Sequence, residues 1–127
     1  MKLVFDTSIL IDYLRGGNRW NDFLETVDKE NTELYLPTVV AFELFSGKSS
    51  SNAYIIKKIL NITMLFKLID LSWSIGKKAG EIYRDYIPTL QVPDYIVAAT
   101  ALEVGATVVT LNQKHFDKIP GVSIYPL

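Results

Sequence analysis

The chain has 127 residues, of which 49% are hydrophobic and 21% are charged, as is typical of one globular domain spanning 1–127. It contains no cysteine and one histidine, which excludes disulfides, thiolate nucleophiles, zinc ribbons and multi-histidine metal sites. The net charge of −1 is unevenly distributed. Residues 48–84 carry seven basic and two acidic residues, whereas the remainder carries six basic and twelve acidic residues. The basic stretch is compatible with solvated helix faces or with a positive rim that would suit a polyanionic substrate.

Neither a membrane span nor a leader peptide is expected from the pattern of apolar residues. No apolar run reaches the ~18 residues that a spanning helix needs. The N-terminal run meets an acid at Asp6, which is not the pattern of a signal peptide. Together with the absence of cysteine, this leads us to expect a cytoplasmic protein with no membrane partner.

Short apolar runs alternate along the chain with stretches whose apolar residues recur at helical spacing. In chain order, we expect a strand at 2–5, helices at 7–15 and 18–30, a strand at 33–36, a helix at 38–46, a helix from the serine-rich segment 49–52 to about 61, a strand at 64–68, helices at 72–86 and 93–104, a strand at 107–111 and a weak strand at 122–125. Thr7 or Ser8 can cap the first helix. This alternation predicts an α/β fold with a mostly parallel sheet of four to five strands between helical layers.

Three acids stand out because of their surroundings. Asp6 directly follows the first predicted strand, where parallel sheets bind ligands, although an aspartate there can also simply cap a helix. Glu43 is the only charge in 36–46, and no basic residue lies one helical turn away. If buried, it needs a proton, a distant cation or a metal ion, and an ordinary buried ion pair remains an alternative.

Asp94 follows Pro93 in the first turn of a predicted helix, where the helix dipole favours a negative charge. The small side chains one turn on, Val97 and Ala98, leave room for a ligand. Three carboxylates brought to one sheet edge would repel each other, and a divalent cation would resolve the repulsion. Oxygen ligands favour Mg²⁺ or Mn²⁺, which can polarise a phosphoryl oxygen and activate water for phosphodiester hydrolysis.

Four segments in this order resemble the PIN-domain ribonucleases, most nearly the VapC-type toxins of bacterial and archaeal toxin–antitoxin pairs. They are FDTSILID at 5–12, ELFSG at 43–47, DYIVAATA at 94–101, and TLNQKHF at 110–116 with IPGV at 119–122. The resemblance covers essentially the whole chain and implies a PIN-like three-layer α/β/α sandwich.

The resemblance also implies an activity, partners and residue roles. It implies a metal-dependent endoribonuclease that cleaves structured RNA such as tRNA or rRNA, forms a homodimer and is inhibited by a small cognate antitoxin. The implied catalytic and metal-binding acids are Asp6, Glu43 and Asp94, with supporting polar residues Ser8, Thr110 and Asn112. Water as the nucleophile would leave a 5′-phosphate and a 3′-hydroxyl.

One position departs from the family pattern. His115 stands where many relatives carry a further acid, which leaves three clear acids and a weaker hold on any second metal ion. Its role is open among a structural or solvent-exposed residue, a contact to a substrate phosphate and a metal ligand.

Other interpretations of the sequence predict different chemistry. The main alternative is a catalytically silent PIN domain that binds RNA or a partner. A haloacid-dehalogenase-like phosphatase would need a second aspartate where Ser8 stands, and a response-regulator receiver would leave Glu43 without a role. The apolar residues of 54–65 exceed what one helix normally buries, and we take this segment as a hypothetical dimer or antitoxin interface.

Overall fold

A computed structural model describes residues 1–127 and contains a four-stranded, all-parallel sheet flanked by helices. The strands are β1 (Lys2–Phe5), β2 (Glu33–Pro37), β3 (Lys67–Ile69) and β4 (Thr107–Val109). The helices are α1 (Thr7–Leu14), α2 (Arg19–Thr26), α3 (Val39–Ser46), α4 (Ala53–Thr63), α5 (Trp73–Asp85), α6 (Val92–Val104) and α7 (Gln113–Phe116), and short 3₁₀ turns lie at Lys29–Asn31 and Lys48–Ser51. The α/β class and the parallel sheet predicted from the sequence are confirmed.

The order of the strands determines where a ligand can bind. The sheet runs β3-β2-β1-β4, so the chain moves outward from β1 to β3 and then crosses to the opposite side to form β4. Phe5 at the end of β1 pairs with Val109 at the end of β4. The reversal of strand order between these two strands opens a crevice beyond their carboxyl ends, and Asp6 is the first residue there.

Two apolar layers cover the two faces of the sheet. On one face, Phe5 meets the aromatic rings of Trp20, Phe23 and Phe66 edge-on, at centroid distances of 5.8, 5.1 and 5.1 Å. On the other face, α6 buries seven consecutive residues from Tyr95 to Ala101. A helix buried on all sides is expected in the middle of a layer, and it holds Asp94 rigidly at its N-terminal end.

Two predicted elements are wrong in extent or position. The helix predicted at 18–30 ends at Thr26 because the next residue, Val27, has an extended backbone. The strand predicted at 64–68 is Lys67–Ile69 instead. The amides of Met64 and Phe66 still donate to carbonyls three or four residues back, so the chain is turning out of α4 rather than extending there.

The C-terminal part of the chain also differs from the prediction. β4 ends at Val109, two residues before the predicted end, and the short helix α7 was not predicted. The weak strand predicted at 122–125 contributes a single bridge between Val108 and Ile124. None of the helices combines the length and the apolar character that crossing a membrane requires.

Replacement of Phe23 by alanine tests the aromatic cluster. Phe23 is 2% exposed and stacks edge-on with Phe5, so Phe23→Ala should lower the free energy of unfolding by about 3–5 kcal/mol. Phe42→Ala removes the same side chain at a position that is 74% exposed and should cost about 0.5 kcal/mol or less. Urea denaturation measures both changes, and equal losses in the two variants would contradict the assigned core.

Candidate active site

The three acids singled out from the sequence line one cleft at the crevice between β1 and β4. The cleft has a volume of about 120 Å³, and it contains no lysine or arginine. Its lining residues are Asp6, Thr7, Ser8, Ile11, Glu43, Asp94, Val97 and Asn112. The structure therefore brings together carboxylates that lie far apart in the chain and gives them no cationic side chain within the cleft.

Asp6 is the most buried of the three acids, with 5% exposure. Its Oδ1 accepts hydrogen bonds from the amide and hydroxyl of Ser8, at 3.0 and 2.5 Å, so it caps α1 as an N-cap residue. Its Oδ2 accepts a hydrogen bond of 2.5 Å from Thr110 Oγ1. Asp6 rather than Thr7 or Ser8 is thus the cap, and it both caps the helix and faces the cleft.

The supporting hydroxyls are themselves held by the loop after β4. Ser8 Oγ accepts from the amide of Leu111 at 2.9 Å, and Thr110 Oγ1 accepts from the amide of Asn112 at 2.9 Å. The side chain of Asn112 is exposed at the rim of the cleft. Each hydroxyl therefore donates to Asp6 and accepts from the backbone, which fixes the orientation of the carboxylate.

Glu43 is half-buried on α3, and its hydrogen-bond partner is neutral. Its Oε1 accepts a hydrogen bond of 2.5 Å from Thr7 Oγ1, and it forms no ion pair. The ordinary buried ion pair considered as an alternative is absent. Thr7 and Ser8 are adjacent in α1, and each orients a different acid.

Asp94 occupies the third position of α6 and completes a capping box with Gln91. Its Oδ2 accepts from the Gln91 amide at 3.3 Å. The same oxygen lies 3.4 Å from Nδ1 of His115, whose role the sequence left open. The structure thus places His115 beside the acid cluster rather than away from it.

Burial and mutual repulsion disfavour the charged forms of two of the acids. Burial raises the pKa of Asp6 above its ordinary value, and the charge of Asp94 raises it further. The hydrogen bonds from Ser8 and Thr110 lower this pKa but do not cancel the increase. Burial likewise raises the pKa of Glu43, as do the charges of Asp94 and Asp6, while the Thr7 hydrogen bond lowers it. A positive charge placed in the cleft would therefore stabilise the charged forms of both acids.

The donor chemistry fits a divalent cation, although the side chains do not form a closed cage. As the side chains stand, no three histidine, aspartate or glutamate residues are close enough together to hold one metal ion, so the carboxylates would have to move closer together to bind it. Each carboxylate instead engages neutral donors. Carboxylate oxygens without a basic neighbour are ligands suited to Mg²⁺ or Mn²⁺, and the buried Nδ1 of His115 forms no hydrogen bond.

Three contacts were not predicted from the sequence. They are the bond of Thr7 to Glu43, the capping box of Gln91 with Asp94, and the approach of His115 to Asp94. The capping box had a local signal, since an acid three residues after a polar residue is its sequence pattern. The other two join distant segments and carry no local signal.

The fold and this cluster of acids together define a family. A model of the PIN domain matches residues 3–122, which is nearly the whole chain. The chain therefore belongs to the PIN-domain family, and the resemblance seen in its motifs is confirmed.

Individual relatives are similar over almost their full lengths. Ribonuclease VapC19 of Mycobacterium tuberculosis is 29% identical over 94% of this chain and 95% of its own. Ribonuclease VapC of Rickettsia bellii is 27% identical over 98% of this chain and 95% of its own. Among solved structures, VapBC2 of Rickettsia felis bound to a promoter DNA fragment has a TM-score of 0.82 at 22% identity, covering 98% of each chain. A Klebsiella pneumoniae toxin–antitoxin complex has a TM-score of 0.78 at 25% identity, and the match covers 98% of this chain and 99% of the other.

Glu43→Gln is expected to stabilise the cation-free protein at neutral pH. Because the pKa of Glu43 is raised on folding, its contribution to stability is present at low pH and is lost as pH rises from 4.5 through the folded-state pKa. Glutamine carries no charge and keeps the acceptor for Thr7. The difference in Tm between variant and wild type in EDTA should therefore grow from about pH 4 to about pH 8.

Glu33→Gln is the matched control, and its effect should have the opposite sign. A hydrogen bond from the Tyr35 hydroxyl and the charge of Lys67 lower the pKa of Glu33, so its contribution to stability is present above 4.5 and is lost as pH falls. Removing that charge should destabilise the protein at neutral pH. The assignment of Glu43 fails if both variants shift Tm in the same direction.

Proposed function

We propose that this protein is a metal-dependent endoribonuclease and the toxin of a VapBC-type toxin–antitoxin pair. The observation that carries the proposal is the cleft at the β1/β4 crevice, where three carboxylates from α3, α6 and the end of β1 meet no lysine or arginine. Such a cleft attracts a divalent cation. Relatives that are named ribonucleases and match over almost the whole chain support the same activity.

The chain's own residues prepare the site for hydrolysis. A bound Mg²⁺ or Mn²⁺ would supply charge to a phosphoryl oxygen and lower the pKa of water. Asp6, Glu43 and Asp94 would hold it, and Ser8 and Thr110 would keep Asp6 in place. Asn112 at the rim would orient a carboxylate or a water molecule.

The substrate we propose is structured RNA, such as tRNA or rRNA. Of the seven basic residues between 48 and 84, Lys48, Lys57, Lys58 and Lys78 form no ion pair, and their positive charge would attract a phosphate backbone. Cleavage with water as nucleophile leaves a 5′-phosphate and a 3′-hydroxyl. The chain has one histidine, so it lacks the histidine pair often used to activate a ribose 2′-hydroxyl.

The partner we propose is a small antitoxin that docks between α3 and α4. A cleft of about 180 Å³ lies there, lined in part by Ala41, Phe45, Thr63 and Leu68. Within the segment considered as an interface from sequence, Ile59 and Ile62 are in the core, whereas Tyr54, Met64 and Leu65 are exposed. An antitoxin seated there would contact α3, the helix that carries Glu43. The solved toxin–antitoxin complexes with this fold support such a partner. We place the pair in the cytoplasm.

We propose that the homodimer forms through α5 rather than through 54–65. Two adjoining clefts, of about 730 and 370 Å³, share Leu71 and Gly76, and Trp73 beside them is 91% exposed. A projecting aromatic residue next to an apolar cleft is self-complementary, as a two-fold interface requires. A Cβ atom at Gly80 would meet nothing, so the helix surface there is open to a close approach.

Cleavage of RNA with end mapping tests the activity. Protein freed of any co-purified antitoxin is incubated with tRNA and rRNA in Mg²⁺, Mn²⁺ or EDTA. We expect discrete fragments with 5′-phosphates that require the cation, because the carboxylates alone provide no electrophile. Asp94→Asn removes one ligand charge and should abolish the fragments.

Asp117→Asn is the matched control for this experiment. Asp117 lies outside the cleft at the end of α7, and its substitution should leave the cleavage rate unchanged. Fragments that persist in Asp94→Asn would reveal a contaminating nuclease. Cation-dependent RNA binding with no product from either RNA pool would favour the catalytically silent alternative.

Trp73→Ala tests the interface. The variant should sediment as a monomer at micromolar concentration where the wild type sediments as a dimer, because the substitution removes the largest exposed apolar side chain of α5. Phe42→Ala removes another exposed aromatic side chain, on α3, and should remain dimeric. Loss of the dimer in Phe42→Ala alone would contradict the α5 interface and place the dimer contact on α3.

A further inference from the structure

One ring nitrogen of the chain's single histidine is buried without a hydrogen bond. The imidazole of His115 is 44% exposed, yet its Nδ1 atom is buried and forms no hydrogen bond. This atom lies 3.4 Å from Oδ2 of Asp94, which is an ion-pair distance when the imidazole is protonated, but the two atoms lack the geometry of a hydrogen bond. A buried polar atom without a partner is costly, so its position needs a cause.

Backbone contacts hold both members of this pair in place. The amide of His115 donates to the carbonyl of Asn112 at 2.9 Å, and the following residue, Phe116, is fully buried. On the opposite side, the amide of Gln91 holds the carboxylate of Asp94. The anchored helices therefore fix the distance between the imidazole nitrogen and the carboxylate oxygen, which form no hydrogen bond with each other.

Both facing atoms can donate an electron pair to a cation. A divalent ion between them would satisfy the buried nitrogen and the carboxylate at once, and Asp6 and Glu43 line the same cleft as Asp94. We propose that His115 is a ligand of the cation in this site, through Nδ1 beside Asp94. The inference rests on the proposed function for the presence of a cation, and it adds a nitrogen to a set otherwise made of oxygens.

A nitrogen ligand changes which cation the site prefers. Mg²⁺ binds oxygen ligands almost exclusively in proteins, whereas imidazole suits transition-metal ions. The mixed set of His115 with the carboxylates therefore favours ions such as Mn²⁺ and Co²⁺ over Mg²⁺. His115→Asp would restore an all-oxygen set and should shift the preference back towards Mg²⁺.

Pulsed electron paramagnetic resonance of bound Mn²⁺ tests the ligand directly. Mn²⁺ is added to the untagged wild-type chain without RNA, so the measurement does not depend on cleavage. His115 is the only histidine, and a ¹⁴N coupling characteristic of a coordinated imidazole can come from no other residue. We expect this coupling in the wild type and its loss in His115→Gln.

Calorimetric titration with Mn²⁺ and Mg²⁺ provides the second measurement. His115→Gln should weaken Mn²⁺ binding at least about tenfold and change Mg²⁺ binding much less. Lys114→Gln alters the exposed neighbouring residue on α7 and should leave both affinities unchanged.

The two proposals fail in different ways. Mn²⁺ bound by the wild type without an imidazole coupling would overturn the role of His115 and leave the ribonuclease proposal intact. Failure of the wild type to bind Mn²⁺ would also overturn it. An imidazole coupling together with an absence of RNA cleavage would support the ligand role while contradicting the proposed activity.

Discussion

The buried carboxylate of Asp6 is the constraint on which the rest of the site depends. It directly follows β1, caps α1 and accepts a hydrogen bond from the hydroxyl of Thr110, so one side chain joins the start of α1 to the loop after β4. A carboxylate is costly to bury unless charge-assisted hydrogen bonds replace its hydration. The hydroxyls of Ser8 and Thr110 and the amide of Ser8 provide them.

The cleft combines neutral hydrogen-bond donors with a shortage of positive charge. Thr7 and Ser8 orient Glu43 and Asp6 without neutralising them, and burial raises the pKa of both acids. A lysine in the cleft would neutralise one of the three acids permanently and weaken the binding of a cation. Neutral groups thus orient the carboxylates and leave a negative charge that a mobile cation can balance. The Nδ1 atom of His115, which forms no hydrogen bond, can also bind such a cation.

The sequence predicts most of the fold because apolar periodicity is a local property. The α/β class and the parallel sheet follow from it, whereas the burial of α6 follows from the absence of charged residues between Asp94 and Glu103. The strand at 64–68 was misplaced because an apolar run suits a helix end or a strand equally well, and only pairing with β2 selects Lys67–Ile69. The acids were identifiable because each lacks a basic neighbour in the chain, whereas the contacts Thr7–Glu43 and His115–Asp94 depend on tertiary folding. The metal-binding roles of these residues and the domain extent of 1–127 stay predictions.

The crossing of the chain from β3 to β4 has a consequence for the timing of synthesis. Asp6 and its partner Thr110 are 104 residues apart, and β4 completes the sheet beside the strand that was made first. A nascent chain can form β1, β2 and β3 while residues 107–112 are still inside the ribosome. Until those residues emerge, the carboxylate lacks one of its donors and the cleft lacks its rim. A chain that is released early therefore carries all three acids without the assembled site.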